Sequence, residues 1–235
     1  MARIPKKLYF TYKTANPPEL YRENLQCWHD ICSDWQLHYF SDKQIYTFFE
    51  THFPQYRKDL PKISCGAVLA DVFRYAVLYV HGGMYNDLDT FPLQKIPEKW
   101  LDYDAVVGYE LQPSKYPQCS AALYGYQDAF CQWSLLSSPG YSLFKEALDV
   151  SFKKLRENDF NIRSVKDTLT MAGPLTFTEL VRKYMERSEV LILDMDYFGS
   201  CRKNYPVTER SVVRHLFHGF EGWRRELDFP HLKFY

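Results

Sequence analysis

The chain has 235 residues, with 29 basic and 29 acidic side chains and a formal net charge of zero, so it projects no field that would gather nucleic acid or an anionic membrane from a distance. Its length suffices for one domain with a core that needs no disulfide support, and its six scattered cysteines, without a Cys-x-x-Cys, suit a reducing compartment better than a zinc knuckle or a disulfide framework. Aromatic residues reach 17%, which implies ring-rich packing or a cleft whose rings stack on sugars and bases.

The opening Met1-Ala-Arg-Ile-Pro-Lys-Lys runs directly into a strand expected over Lys7 to Tyr12. Asn16-Pro17-Pro18-Glu19 reads as a cap and first-turn proline for a helix from about Glu19 to Cys32, followed by a strand over Gln36 to Phe40. Ser41-Asp42-Lys43-Gln44 is a capping-box signature that opens a helix toward Phe53. Ala67 to Val80 is the most apolar helical stretch; His81-Gly82-Gly83 stops it, and Met84-Tyr85 leads to Asp87-Leu88-Asp89. Strands are expected at Ala105 to Tyr109 and Phe130 to Leu136, with a proline-containing loop at Gln112 to Gln118. Helices follow from Tyr141 to about Arg156 and from Thr176 to about Arg187, then a strand at Val190 to Leu193 and an aromatic, basic tail from Val212 to Tyr235. This alternation predicts an α/β fold with a mainly parallel sheet flanked by helices, a single domain over 1–235, and a ligand off the carboxyl ends of the strands. No apolar run approaches the roughly 18 residues of a membrane span, so the expected location is cytoplasmic, with peripheral membrane association as the alternative.

Asp-x-Asp occurs three times, at Asp87-Leu88-Asp89, Asp102-Tyr103-Asp104 and Asp194-Met195-Asp196, and the motif alone carries little. The second and third pairs read as solvated strand ends or turns. The first ends a short strand that leaves a Gly-Gly turn, so two carboxylates project from one strand end, a donor set suited to Mg2+ or Mn2+ with positions left open for phosphate oxygens. In the apolar helix before it, Asp71 and Arg74 are the only charges and share one face. A buried ion pair rarely forms for stability alone, so a binding role for this pair is set against a purely structural one.

The run Ala70-Asp71-Val72-Phe73-Arg74-Tyr75-Ala76-Val77-Leu78-Tyr79-Val80-His81-Gly82-Gly83-Met84-Tyr85-Asn86-Asp87-Leu88-Asp89-Thr90 resembles the signature of glycosyltransferase family 32, the proteins with a sugar-binding region containing a DXD motif. The large clostridial glucosylating toxins share the same Asp, Arg, Tyr, Asp, Asp spacing. Ile4 to Lys13 is similar to the family's opening strand, although Tyr9 and Tyr12 stand where that strand carries His and Trp. Asn24 and Trp28 match positions of its first helix, and Gly173-Pro174 a later element. Arg214 to Trp223 resembles the C-terminal His, Gly and Trp element in a slightly longer form, so His215 and His218 both stand as candidates for the metal- or phosphate-facing histidine.

The resemblance implies a GT-A fold, a nucleotide-diphosphate sugar as donor (UDP-hexose before GDP-mannose), a glycan acceptor and retention of anomeric configuration. It implies Mn2+ or Mg2+ on Asp87, Asp89 and His215, with Asp71 and Arg74 holding sugar or phosphate beside them. Donor contacts extend to Thr11, Tyr12, Tyr85, His218 and Trp223, and the tail from about 212 to 235 is expected to close over the donor, loose from His215 onward until ligand binds. Two alternatives keep the same residues: a protein-modifying transferase and a catalytically dead nucleotide-sugar-binding module. A haloacid-dehalogenase-type phosphatase is disfavoured, because Phe91 occupies the position where its nucleophile motif needs Thr or Val and the preceding apolar strand is lacking.

Overall fold

The computed structural model describes residues 2–119, 125, 127–198 and 207–218. Its centre is a six-stranded sheet in the order β2-β1-β3-β6-β5-β7, built from β1 (Lys7–Tyr12), β2 (Gln36–Ser41), β3 (Gly83–Asn86), β5 (Ala105–Leu111), β6 (Ala129–Ser137) and β7 (Val190–Leu193). Five strands run in one direction and β6 opposes both of its neighbours. Every residue of β6 is buried, so no apolar-polar alternation betrays its direction in the sequence. A two-stranded antiparallel ribbon, β4 (Thr90–Pro92) with β8 (Val213–His215), stands beside the sheet.

Strand periodicity divides the core between the two faces. Tyr9, Tyr85 and Leu135 join Phe49, Phe73, Phe144 and Phe177 under α2 (Asp42–His52), α3 (Gly66–His81), α4 (Ser142–Glu157) and α6 (Pro174–Val181). Their neighbours Phe10, Met84 and Leu136 face the other way and pack with Trp28 of α1 (Arg22–Ile31) and with Trp100. Much of the aromatic content is therefore core.

The capping box at Ser41 and Gln44 opens α2 as expected. Pro18 offers no capping side chain, so Glu19–Tyr21 forms a 3-10 turn and α1 starts at Arg22, not Glu19. α6 ends at Val181 rather than near Arg187, where the N–H groups of Lys183 and Tyr184 turn to carbonyls three residues back. An additional helix, α5 (Val165–Met171), carries its own capping box at Ser164 and Asp167. Asp104 bonds Arg3 and Ser138, and Asp194 and Asp196 bond Arg210, so the second and third Asp-x-Asp pairs contribute to structural contacts.

Gly83 makes the entry into β3 possible. Its φ is +104° and a Cβ there would lie 2.6 Å from the Lys7 carbonyl oxygen, across the β1–β3 contact. Gly140 also has a positive φ, +78°, but open space around it. Urea unfolding is expected to show Gly83→Ala costing about 3 kcal/mol or more, against about 1 kcal/mol for Gly140→Ala; equal costs would remove the close approach as the reason for glycine.

Candidate active site

α3 sinks into the core, and its two charges survive there because each has partners. Arg74 donates from Nη1 to Asp71 and from Nη2 to Asp87 Oδ1 at 2.8 Å, while its guanidinium lies 4.5 Å from the centre of the Tyr85 ring. Burial pulls the Arg74 pKa down, but Asp87, Tyr85 and Asp71 outweigh it and hold the pKa well above the usual arginine range. The Tyr85 phenol is pushed up by burial and then by Asp87. One cation thus serves two carboxylates and leaves the cluster net negative.

β3 delivers the next segment, whose backbone is tied down at successive groups. The Asp87 N–H donates to the Trp133 carbonyl, and the Asp87 carbonyl accepts from the Thr90 N–H and hydroxyl. Asn24 donates to the Leu88 carbonyl at 3.1 Å and Trp28 to the Thr90 carbonyl at 3.3 Å. Of the two α1 residues named by the resemblance, Asn24 therefore holds the residue between the aspartates and Trp28 the residue that follows them. Such anchoring fixes where the carboxylates point.

β8 supplies the third group. Thr90 pairs with His215 across the ribbon, which sets His215 Nε2 3.1 Å from Asp89 Oδ1 and 4.0 Å from Asp87 Oδ2. Asp89 Oδ2 accepts the His218 N–H, and the Asp89 carbonyl accepts the Leu216 N–H. Burial pushes the Asp89 pKa up, yet His215 and the His218 N–H overcome it and leave the pKa at about 2. The His215 ring stacks on Trp133 at 4.7 Å and 9°, with Phe217 edge-on at 4.0 Å, and its Nδ1 is buried with no hydrogen-bond partner. The ligand atoms of Asp87, Asp89 and His215 lie within 4.8 Å of one another. Two carboxylates and one imidazole fit Mn2+ well, and Mg2+ less well because it prefers oxygen alone.

A cavity of about 520 Å3 opens over these groups. Thr11, Tyr12, Asp71, Arg74, Tyr85, Asp87, Asp89, His215 and His218 all line it, so the structure brings together every described residue expected at the site. Trp223 and the tail beyond His218 lie outside the described residues. As far as His218, the stretch expected to be loose from His215 onward is joined to the rest by strand pairing and by three hydrogen bonds or ion contacts to Asp89. The geometry also separates the two histidines. His215 turns its ring nitrogen to the aspartates, whereas His218 gives its backbone N–H to Asp89 and packs its ring 5.7 Å from Tyr21.

Glu110, Gln132 and Trp133 line the same cavity and went unnoticed in the sequence, where a lone polar residue within a strand gives no signal. A separate cavity of about 690 Å3 lies along β7, lined by Arg3, Glu189 and Asp194 among others, away from this chemistry.

Residues 18–107 match the model of the family described as "Glycosyltransferase sugar-binding region containing DXD motif". That stretch is similar to the family's sugar-binding region. Over 208 residues, 77% of this chain and 53% of the relative, it is 27% identical to the initiation-specific alpha-1,6-mannosyltransferase of Candida albicans. It is 33% identical over 86 residues to a mannosyl phosphorylinositol ceramide synthase of Saccharomyces cerevisiae, 37% of this chain and 22% of that one. The chain spans about half the length, or less, of these curated relatives. Among solved structures it resembles the PaToxG glycosyltransferase, with a TM-score of 0.55 and 17% identity over 77% of this chain and 70% of that one. It also resembles the ligand-free glycosyltransferase domain of the YGT toxin, with a TM-score of 0.56 and 11% identity over 82% and 80%. The fold is the GT-A glycosyltransferase fold, as the sequence resemblance implied.

Proposed function

We propose that this chain is a metal-dependent glycosyltransferase that moves a hexose from a nucleotide-diphosphate sugar to a hydroxyl acceptor, a glycan in the first instance, with retention of configuration. The observation that carries this reading is the convergence of Asp87, Asp89 and His215, from two distant parts of the chain, beside the buried Asp71–Arg74 pair in one cavity. A divalent cation on that triad would supply positive charge where a departing diphosphate develops negative charge. Arg74, already oriented by Asp71 and Asp87, places its guanidinium beside the triad. Trp133 and Phe217 wall His215 from solvent and fix its ring plane.

For the sugar, support comes from the relatives rather than from the site. The two curated relatives above are named for mannosyl transfer, which supports a mannosyl donor such as GDP-mannose beside the UDP-hexoses that the resemblance put first. Incubation with UDP- and GDP-linked hexoses plus Mn2+ is expected to release free nucleoside diphosphate from one of them, faster when the acceptor is supplied. Binding of a nucleotide sugar with no release under any of these conditions would favour the non-catalytic module.

A further inference from the structure

β7 is the last strand of the sheet and has no neighbour beyond β5 among the described residues. The cavity of about 690 Å3 runs along that free edge, because the consecutive residues Leu191, Ile192 and Leu193 all line it although successive side chains of a strand point to opposite faces. It takes in Glu189 before the strand and Asp194 after it, a run of about 17 Å at about 3.3 Å per residue. A groove of that length admits several linked rings. It shares no lining residue with the cavity over Asp87 and Asp89.

Its charges balance. Arg3, Lys99 and Arg210 stand against Asp102, Glu189 and Asp194, so the groove has no net attraction for phosphate or polyanion and suits an uncharged ligand rich in hydroxyls. The protein itself fixes two of the cations. Arg3 pairs with Asp104, whose N–H donates to the Glu189 carbonyl, and Arg210 pairs with Asp194 and Asp196. Arg210 also lies 5.0 Å from the centre of the Tyr197 ring, and Trp100 meets that ring edge-on at 5.7 Å. Tyr103, half-buried just after the 3-10 turn Glu98–Asp102, adds a second phenol to the wall. Aromatic rings receive the C–H faces of a sugar, and carboxylates and guanidinium groups its hydroxyls. A peptide strand would instead pair with the backbone of β7, a short edge of four residues flanked by charges.

β7 runs parallel to β3, so both strands end at the same side of the sheet, and three strand spacings, about 15 Å, separate them. We propose that the β7 groove is a carbohydrate-binding site for an uncharged oligosaccharide, holding the chain of a glycan acceptor behind the end that reacts. This rests on the transferase reading of the metal triad, and it makes the acceptor an extended chain rather than a single sugar.

Calorimetric titration without nucleotide or metal would compare mannohexaose and maltohexaose with the corresponding disaccharides, in the wild-type chain and in the Asp102→Ala and Glu189→Ala variants. One hexasaccharide is expected to bind about tenfold more tightly than its disaccharide, and each substitution to weaken it about three- to tenfold, the range of one lost hydrogen bond. Asp102 is exposed and Glu189 partly so, and folding is expected to survive either change. Neither residue lines the donor cavity, so hydrolysis of a nucleotide sugar with Mn2+ and no acceptor is expected to stay within about twofold in both variants. No binding of either hexasaccharide, as an edge that pairs only with peptide would give, would overturn the groove as a glycan site. Binding no tighter than that of the disaccharide, or unaltered in the variants, would overturn it equally. Absence of nucleoside diphosphate release from any donor by the wild-type chain would instead overturn the transferase reading, with the titration still reporting on the groove.

Discussion

Exhaustive chelation is expected to reduce donor turnover by at least about a hundredfold, with recovery on adding Mn2+ and weaker recovery with Mg2+. The argument begins with charge. Asp71, Asp87 and Asp89 carry three negative charges against the single cation of Arg74, and Arg74 is already committed to Asp71 and Asp87. A diphosphate brought near that excess meets repulsion of about 4 kcal/mol per pair of unit charges at 4 Å and an effective dielectric of 20. Asp89→Ala is expected to match chelation, with added Mn2+ failing to restore turnover, because Asp89 is the carboxylate nearest His215 and the anchor for the His218 N–H. Turnover that survives chelation undiminished would leave the triad a structural cluster.

The part of this site that was legible is the part that is local in the chain. Asp71, Arg74, Tyr85, Asp87 and Asp89 lie on one continuous helix, turn and strand, and the turn is marked by glycines whose role is evident once Gly83 is seen against the Lys7 carbonyl. Helix periodicity placed the two charges on one face, and the distance they bridge is set by that periodicity. His215 lies far along the chain from Thr90, and its place was open between two histidines because the pairing of β4 with β8 joins strands separated in sequence by β5, β6, α4, α5, α6 and β7. Gln132 and Glu110 were illegible for a different reason. Their strands are largely apolar and buried on both faces, so Glu110 in β5, and Gln132 beside two serines in β6, read as noise until the strands are seen to border one cavity. The antiparallel course of β6 was hidden by the same uniform burial.

Replacing Arg74 by Lys is expected to lower kcat/KM for the donor by about a hundredfold or more while leaving a folded protein. Arg74 is 3% exposed and performs three tasks from one planar group: it reaches Asp71 with one terminal nitrogen, Asp87 with the other, and stacks its face over Tyr85. An ammonium retains the charge, so the buried carboxylates are not left wholly uncompensated, and the stability loss should fall below the roughly 3–5 kcal/mol of deleting a buried partner outright. What lysine cannot do is hold Asp71 and Asp87 in a fixed relation, because its single nitrogen has no fork. Asp87 would then lose the contact that sets its Oδ1, and the spacing of the oxygens proposed to hold the cation would widen. Asp71→Asn provides the companion measurement: the amide can still accept from Arg74, so melting should change little, yet one negative charge disappears from the cavity wall. If both residues serve the donor, each variant loses turnover out of proportion to its loss of stability. If the pair is only structural, the two variants unfold more easily and the folded remainder turns over donor at the wild-type rate, an outcome that steady-state kinetics beside urea unfolding would reveal directly.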